Sequence, residues 1–379
     1  MSLINYVTKI QFGYDSLQQL ASEAERAGIT RPLIVTDVGV RNAGIVDKVI
    51  AALGATRTPT IFDATPPNPN EHAVRQAVAQ YHLGECNGII AVGGGSSIDL
   101  AKGVAVCATH DGPLQSFAVI EGGLDRITSA TAPLIAIPTT AGTGSEVGRG
   151  AILILDDGRK VGVISPYVVP RVAICDPELT LGLPPMLTAA TGMDAIAPCI
   201  ETFMAPAFNP AADGIALDGL WRAWEHIERA TAEPGDREAR MNMMSASMQG
   251  ALAFQKGLGC VHSLSHALGG INPKLHHGTL NAIFLPAVVD FNANAPTVRD
   301  ERKLERLRHA MGLEAGTNIG TAIEDMTRRL GLPTRLRDIG VEESLFAGIV
   351  EGALHDHSHK TNPREASSAD YLSMLQQSL

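Results

Sequence analysis

Four histidines fall within sixteen positions of the C-terminal half of the chain. His262 and His266 are four residues apart, and His276 and His277 follow them. On a helix, side chains four residues apart project from the same face, and neutral imidazole is the most common protein ligand of divalent transition metals. A lone histidine is more often a structural residue. A cluster of this density predicts a site that binds a metal or transfers protons.

Asp194, which precedes the histidines in the sequence, lies among apolar residues, where a carboxylate needs a positively charged partner. Asp194 lies in the mostly apolar run Ala189–Ala197, inside a segment, Thr188–Met204, that predicts a helix. Burying a carboxylate is costly unless a positive charge pairs with it. A bound metal ion would provide that charge, so Asp194 is grouped with the histidines.

Two polar turns in the N-terminal half are candidates for binding phosphate. The apolar run Gly88–Val92 leads into Gly93-Gly94-Gly95, and Ser96 and Asp99 follow in a segment that predicts a helix with a serine cap. Glycines let a pyrophosphate approach the backbone N–H groups at a helix start, although three glycines also suit a plain tight turn. A second turn, with Thr139 and Thr140, follows another apolar run and raises the expectation of a nucleotide site.

Asp37 follows the strand-like run Leu33–Thr36. A carboxylate at this place accepts hydrogen bonds from ribose hydroxyls and repels a 2′-phosphate, which favours NAD over NADP. The alternative is that Asp37 caps the next helix. Lys160, after a charged turn, either reaches the nucleotide or faces solvent.

The elements around these residues change character near the middle of the chain. From Pro32 to Ala173, short apolar runs alternate with segments of helical length, which predicts a parallel sheet covered by helices. The runs are Leu33–Val35, Thr60–Phe62, Gly88–Val92, Leu134–Ile137 and Ala151–Leu155. After the break at Leu183-Pro184-Pro185 the pattern is helical. The sequence predicts an α/β domain over residues 1–180 and an all-helical domain over 181–379.

Composition excludes several classes of protein. The net charge of −10 argues against a nucleic-acid partner, which needs a concentrated basic surface. Neither a secretion signal nor an apolar stretch of membrane-spanning length is found. The five cysteines are scattered without a Cys-x-x-Cys pair, which indicates free thiols in a reducing compartment. We therefore expect a cytoplasmic protein without nucleic-acid or membrane partners.

Several motifs occur together in a recognisable order. They are Gly93-Gly94-Gly95-Ser96, Pro138-Thr139-Thr140 with the following Gly-Ser-Glu, Asp176-Pro177-Glu178-Leu179, Gly192-Met193-Asp194-Ala195 and the histidine block. In these motifs the chain resembles the iron-containing alcohol dehydrogenases over essentially its whole length. Within that family it is most similar to the 4-hydroxybutyrate dehydrogenases, through Gly150-Ala151-Ile152, Ser245–Gly250, the His-His-Gly block and the ending His357–Pro363.

The resemblance implies a dehydroquinate-synthase-like fold with NAD in the N-terminal domain and a divalent iron or zinc. It implies that Asp194, His262 and His277 are metal ligands and that His266, beside them, positions the substrate or relays its proton. The implied nucleotide-contacting residues are Asp37, Asn68, Gly94, Gly95, Ser96, Asp99, Thr139, Thr140 and Lys160.

One position departs from the family pattern. The family has a fourth histidine ligand four residues after the aspartate, where this chain has Pro198. Proline has no donor atom, and inside a helix it costs roughly 3 kcal/mol. We therefore expect the helix to kink or to be locally rebuilt and the metal to be bound more weakly. Cys199 and His276 are candidate replacement ligands.

The expected function is NAD-dependent hydride transfer between NAD and a small alcohol or aldehyde, such as an ω-hydroxy acid, in a homo-oligomer that we expect to be a dimer. Arg149, Lys360 and His359 are candidate cations for a substrate carboxylate. Three alternatives remain: a metal-independent reductase similar to the maleylacetate reductases, a cyclising lyase similar to dehydroquinate synthase, and an inactive NAD-binding paralogue.

Overall fold

The computed structural model describes Ile4, Tyr6, residues 8–55 and residues 57–379. The chain forms two compact units. The first, here called the sheet unit, consists mainly of the chain up to Thr140 and of Gly144–Gly182. The second, the helical unit, consists mainly of Leu183–Leu379 with the short segment Ala141–Thr143.

The sheet unit contains eight strands and five α-helices among its described residues. The strands are β1 Ile10–Phe12, β2 Pro32–Val35, β3 Thr60–Phe62, β4 Gly88–Gly93, β5 Leu134–Pro138, β6 Gly150–Ile154, β7 Lys160–Ile164 and β8 Val172–Cys175. The helices are α1 Leu20–Arg26, α2 Val38–Asn42, α3 Ile45–Leu53, α4 Glu71–Leu83 and α5 Gly95–Cys107.

Six of the strands form one parallel sheet in the order β1-β8-β5-β4-β2-β3. Alternate residues of each strand enter different cores: Leu33 and Ile89 pack on one face of the sheet, and Ile34 and Ile90 pack on the other. Burial of both faces explains why these strands are continuous apolar runs. The strand order reverses between β2 and β4, and ligands of such sheets bind at the carboxyl ends of the strands at that reversal.

The predicted parallel sheet is confirmed, with one error. The run Ala151–Leu155 does not join it, because β6 pairs antiparallel with β7 in a separate two-stranded sheet. The charged turn between them is short, with Gly158 in a left-handed conformation at φ 86°. A turn this short can only join antiparallel strands, since a parallel pair needs a long crossover.

The helical unit is built around one long buried helix. Its helices are α6 Pro185–Met204, α7 Pro210–Ala232, α8 Arg237–Leu252, α9 Cys260–Ile271, α10 His277–Asn292, α11 Pro296–Asp300, α12 Lys303–Ala310, α13 Ile319–Arg329, α14 Phe346–His355 and α15 Ser368–Gln377. Every residue of α6 from Thr188 to Met204 is buried, and α6 packs against α7, α8 and α10. The prediction of a helical C-terminal domain is confirmed. Among the described residues, no helix is both long enough and apolar enough to cross a membrane.

Candidate active site

Asp194, His262 and His277 come together inside the helical unit. Each offers one ligand atom, and these atoms lie within 4.8 Å of one another. Nε2 of His277 lies 3.7 Å from Oδ1 of Asp194, and the rings of His262 and His277 are 5.5 Å apart. Asp194 and His262 are only 3% and 4% exposed. Helices α6, α9 and α10 each contribute one of the three groups.

Gly278 allows α10 to approach α6 closely enough for this arrangement. A Cβ atom at this position would lie 2.1 Å from the carbonyl oxygen of Ala190 and 3.0 Å from Cβ of Asp194. Only glycine fits such a contact, because a clash of that size requires the backbone to move. The close approach places His277, the first residue of α10, beside Asp194.

The donor set fits a divalent transition metal. Two imidazoles and a carboxylate suit iron(II) or zinc, and three protein ligands leave a coordination position open for a substrate, as in catalytic sites. Oδ1 of Asn281 is also buried beside this cluster, with no hydrogen-bond partner among the described residues. Buried polar atoms are normally satisfied, so a polar group from outside the protein is expected here.

Glu201 is a functional residue that the sequence analysis missed. Its Oε2 accepts a hydrogen bond from Nδ1 of His262, and its Oε1 accepts one from the backbone N–H of Val261 at 2.8 Å. A carboxylate on the far nitrogen of a ligating histidine fixes the tautomer and the orientation of the ring. Nε2 of His262 is thereby left as the ligand atom.

The charge of Glu201 also sets the electrostatics of His262. Burial lowers the pKa of His262, but Glu201, together with Asp194 and Asp356, outweighs burial and raises the pKa overall. Glu201 follows Asp194 by seven residues, or about two helical turns, so both carboxylates lie on one side of α6. A second carboxylate at this spacing in an apolar helix was the sequence signal that could have identified Glu201.

We expect Glu201→Gln to weaken metal binding by about 10- to 100-fold, the usual effect of losing such an outer partner. Glutamine can still accept a bond from Val261 through its oxygen, but its NH2 group then faces Nδ1 of His262 and favours the wrong tautomer. Competition with a chelator measures the metal affinity. Glu225→Gln, at an exposed position on α7, is the matched control. Equal affinity in both variants would exclude an orienting role for Glu201.

Asn281 is a second residue that the sequence analysis missed. Its Nδ2 donates to Oδ1 of Asp194 at 2.7 Å and lies 3.3 Å from Nε2 of His277. Asn281 follows His277 by four residues on α10, so both side chains leave one face of that helix. Asn281 therefore holds the carboxylate of Asp194 beside His277.

Of the two outcomes predicted for the helix at Pro198, local rebuilding is wrong, and a kink stays a prediction. Helix α6 runs unbroken from Pro185 to Met204 with Pro198 buried inside it. The proposed replacement ligands are not part of the cluster either. Sγ of Cys199 contacts the carbonyl oxygen of Ala246 on α8 at 3.9 Å, and burial raises the thiol pKa to about 12. His276 is exposed at the start of α10 and lies outside the group of close ligand atoms.

His266 lies next to the three proposed ligands in a row of stacked rings. Its ring stacks on that of His277 at 5.4 Å and on that of His357 at 5.7 Å. Its Nδ1 bonds to Oδ2 of Asp356 at 2.9 Å. Burial alone would raise the pKa of Asp356, but His266 and His357 hold it well below its usual range. His266 thus has an ionised partner on one ring nitrogen.

In the sheet unit, the glycine turn lies at the carboxyl end of β4. Gly93 has φ 150°, and a Cβ atom on Gly94 would lie 3.1 Å from Oγ1 of Thr140. The N–H of Thr139 donates to the carbonyl of Gly93 at 3.0 Å, so the two predicted polar turns are adjacent. The predicted serine cap is wrong: α5 begins at Gly95, its cap is Gly94, and Ser96 instead donates to the carbonyl of Pro67.

Asp99 and Lys102 attach α5 to β6 and to the segment before it. Oδ2 of Asp99 accepts from the N–H of Ile152 at 2.9 Å, and Oδ1 accepts from the hydroxyl of Ser145. Nζ of the fully buried Lys102 donates to the carbonyls of Ser145, Gly148 and Gly150 at 2.7–2.8 Å, and burial lowers its pKa to about 8. Lys102 was not predicted from the sequence, where its only signal is its place one turn after Asp99.

The remaining predicted nucleotide residues are Asp37, Asn68 and Lys160. Asp37, at the end of β2, caps α2 by accepting from the N–H of Val40 at 3.0 Å, and its other oxygen accepts from Oγ of Ser97 at 3.3 Å. The capping alternative is therefore present in the structure. Nζ of Lys160 donates to Oδ1 of Asn68 at 3.0 Å, which brings these two predicted residues together.

Comparisons with known proteins agree with this arrangement. The family model "Iron-containing alcohol dehydrogenase" matches residues 7–177, and the model of the C-terminal part of the same family matches residues 188–379. The chain is 62% identical to 4-hydroxybutyrate dehydrogenase of Cupriavidus necator, with 100% of both chains covered.

Solved structures give the same result. A crystal structure of 1,3-propanediol oxidoreductase superimposes with a TM-score of 0.93 at 33% identity over 100% of both chains. Sulfoacetaldehyde reductase from Bifidobacterium kashiwanohense, in complex with NAD+, has a TM-score of 0.88 at 28% identity, with 100% of this chain and 99% of that chain covered. The chain therefore belongs to the iron-containing alcohol dehydrogenase family.

Proposed function

We propose that this protein catalyses the NAD-dependent interconversion of 4-hydroxybutyrate and succinate semialdehyde. The observation that carries the proposal is the buried cluster of Asp194, His262 and His277, whose ligand atoms lie within 4.8 Å of one another. The identity of 62% to a 4-hydroxybutyrate dehydrogenase supports the choice of substrate.

Asp194, His262 and His277 are the proposed metal ligands, with Glu201 and Asn281 orienting them. A divalent iron or zinc held there supplies Lewis acidity, which lowers the pKa of the hydroxyl group to be oxidised. Because Asp194 and His262 are buried, the alcohol meets these groups where little water competes with it.

His266 is the proposed proton acceptor. Its Nδ1 keeps the bond to Oδ2 of Asp356, and its Nε2 takes the proton of the substrate's hydroxyl group. The nearby ionised carboxylate stabilises the resulting imidazolium. An unperturbed imidazole has a pKa near 6.5, which suits proton transfer at neutral pH.

The proposed nucleotide site lies at the carboxyl ends of the parallel strands. NAD supplies the hydride acceptor, and the protein contributes its orientation. The glycine turn after β4 and Asp37 after β2 flank the reversal in strand order, where such sheets bind ligands. The residues proposed to contact NAD are Asp37, Asn68, Gly94, Gly95, Ser96, Asp99, Thr139, Thr140 and Lys160.

We assign NAD binding to a domain of residues 1–180 and metal and substrate binding to residues 181–379. The two family matches, which end at 177 and begin at 188, support that boundary. The homodimer and the cytoplasmic location stay predictions.

Pro198 favours a second candidate function. The main alternative to a metal-dependent dehydrogenase is a reductase of this fold that uses only its histidines and no metal. It is favoured because the fourth histidine of the family pattern is missing. In that case His262, His266 and His277 would act only as hydrogen-bond donors to the carbonyl oxygen of the substrate.

The proposal is tested by mixing the purified protein with NAD and 4-hydroxybutyrate. We expect NADH to accumulate and an aldehyde-trapping reagent to recover succinate semialdehyde in equal amount. NAD binding without NADH formation from 4-hydroxybutyrate would refute the proposed activity.

A further inference from the structure

The three cations proposed from the sequence for a substrate carboxylate are exposed or hydrogen-bonded to another group. Arg149 is exposed and belongs to the sheet unit, and Lys360 is exposed. Nδ1 of His359 is bonded to the hydroxyl of Tyr371 at 2.9 Å. None of the three is in ring contact with the metal-site histidines among the described residues. The residues that contact the cluster offer a further candidate for this role.

His357 lies at the end of the row of rings that starts at the metal site. The ring of His266 is stacked on that of His277 with an interplanar angle of 13°, and the ring of His357 is stacked on that of His266 with an angle of 24°. Two ring contacts, of 5.4 Å and 5.7 Å, thus separate His357 from a proposed metal ligand. The side chain of His357 is 28% exposed, so a small molecule can reach it.

Asp356 lies beside the last two rings of the row, those of His266 and His357. Its Oδ2 lies 2.9 Å from Nδ1 of His266 and 3.6 Å from Nδ1 of His357. Because Nδ1 of His357 faces this carboxylate, Nε2 on the other side of the ring points away from Asp356. At 3.6 Å, Nδ1 of His357 is too far from Asp356 for a hydrogen bond, so the ring can carry its proton on Nε2 and donate it to an anion.

We propose that His357 binds the carboxylate of an ω-hydroxy acid through Nε2, and so selects acids over plain alcohols. This inference rests on the proposed function and adds the residue that recognises the acid end of the substrate. In extended 4-hydroxybutyrate, the hydroxyl oxygen and the carboxylate oxygens are about 6 Å apart, from bond lengths of about 1.5 Å. With a hydrogen bond of about 2.9 Å at the carboxylate end, a hydroxyl oxygen at the proposed metal ligands lies within about 9 Å of the donor atom. That span compares with the two ring steps, of 5.4 Å and 5.7 Å, that lead from His277 to His357.

The test compares kcat/KM for 4-hydroxybutyrate with kcat/KM for butane-1,4-diol, which has a hydroxyl group in place of the carboxylate. In His357→Phe, which keeps a stacking ring without the N–H donor, we expect the acid-to-diol ratio to fall by about 10- to 100-fold, mostly through KM for the acid. His357→Lys, which supplies an N–H donor again, should recover part of the ratio. His355→Phe replaces an exposed histidine two residues away and should keep the wild-type ratio.

Two results would overturn the inference: a wild-type ratio in His357→Phe, or a loss of the ratio in Lys360→Ala instead. Calorimetric titration with 4-hydroxybutyrate, without NAD, separates this inference from the proposed function. If the wild type binds the acid without oxidising it, the proposed function fails, whereas a weaker Kd in His357→Phe still supports the binding role. Equal Kd values, or no binding to either protein, refute it.

Discussion

Asp194→Asn is expected to weaken metal binding by more than about 100-fold. Loss of a residue that only hydrogen-bonds a ligand typically weakens metal binding by about 10- to 100-fold. This variant has a larger effect because it removes the negative charge from the three proposed ligands. The amide is almost the same size as the carboxylate, so the packing of α6 against α10 is kept. Without Asp194, two imidazoles must hold a doubly charged ion in a buried site, and NADH formation should fall with the metal content. Chelator competition and elemental analysis measure the first effect, and initial rates measure the second.

The control for this variant is Asp290→Asn, an exposed carboxylate on α10. It changes the net charge of the protein by the same amount but touches none of the ligands, so its metal content should match the wild type. Thermal unfolding of both variants checks that neither has lost its fold. A wild-type metal content in Asp194→Asn would remove Asp194 from the ligand set.

Pro198→His is expected to raise metal affinity by at least about tenfold. Position 198 lies one turn after Asp194 on an unbroken α6, so an imidazole there projects from the same face. The variant also restores the backbone N–H that proline lacks, and with it a helical hydrogen bond to the carbonyl of Asp194. Four protein ligands hold a divalent metal more tightly than three, at the cost of the open coordination position.

Pro198→Ala separates these two effects, since alanine restores the N–H without adding a ligand. We expect Pro198→Ala to stay near the wild-type metal affinity and Pro198→His to exceed it. Equal gains in both variants would show that the backbone of α6, and not the missing ligand, limits metal binding. Equal occupancy in all three proteins would show that Pro198 is not a defect of the site.

The fold could be predicted from the sequence wherever the hydrophobic periodicity and the length of a segment are compatible with only one type of secondary structure. Runs such as Gly88–Val92 are apolar on every residue because both faces of the parallel sheet are buried. The run Ala151–Leu155 has the same apolar character, but it pairs with β7, because the short turn between them closes a hairpin. Composition alone does not distinguish these cases, whereas the length of the connection does.

The proposed ligands were accessible to sequence reasoning because their chemistry is rare. Histidines four residues apart, and an acid inside an apolar helix, are uncommon outside sites that bind metals or transfer protons. Glu201 and Asn281 were missed because residues that hydrogen-bond a ligand do not occur at a characteristic sequence distance from it. Glu201, for example, is 61 residues from His262, to which it is hydrogen-bonded. Only the packing of α6 against the start of α9 brings Glu201 and His262 together.

His357 illustrates the same limit. The ending His357-Ser358-His359-Lys360 offers three cations, and the sequence does not say which of them faces the site. The turn after α14 decides it, since it stacks His357 on His266 and leaves Lys360 exposed. Ser96 was misassigned for a related reason, because α5 begins two residues earlier than a cap at Ser96 requires.

The most direct test of the account is removal and return of the metal in the wild-type protein. After exhaustive chelation, verified by elemental analysis, we expect no NADH formation from 4-hydroxybutyrate, and we expect recovery when about one equivalent of iron(II) or zinc per chain is added. Turnover of 4-hydroxybutyrate at an undiminished rate by the metal-free protein would contradict the account and establish the metal-independent reductase in its place.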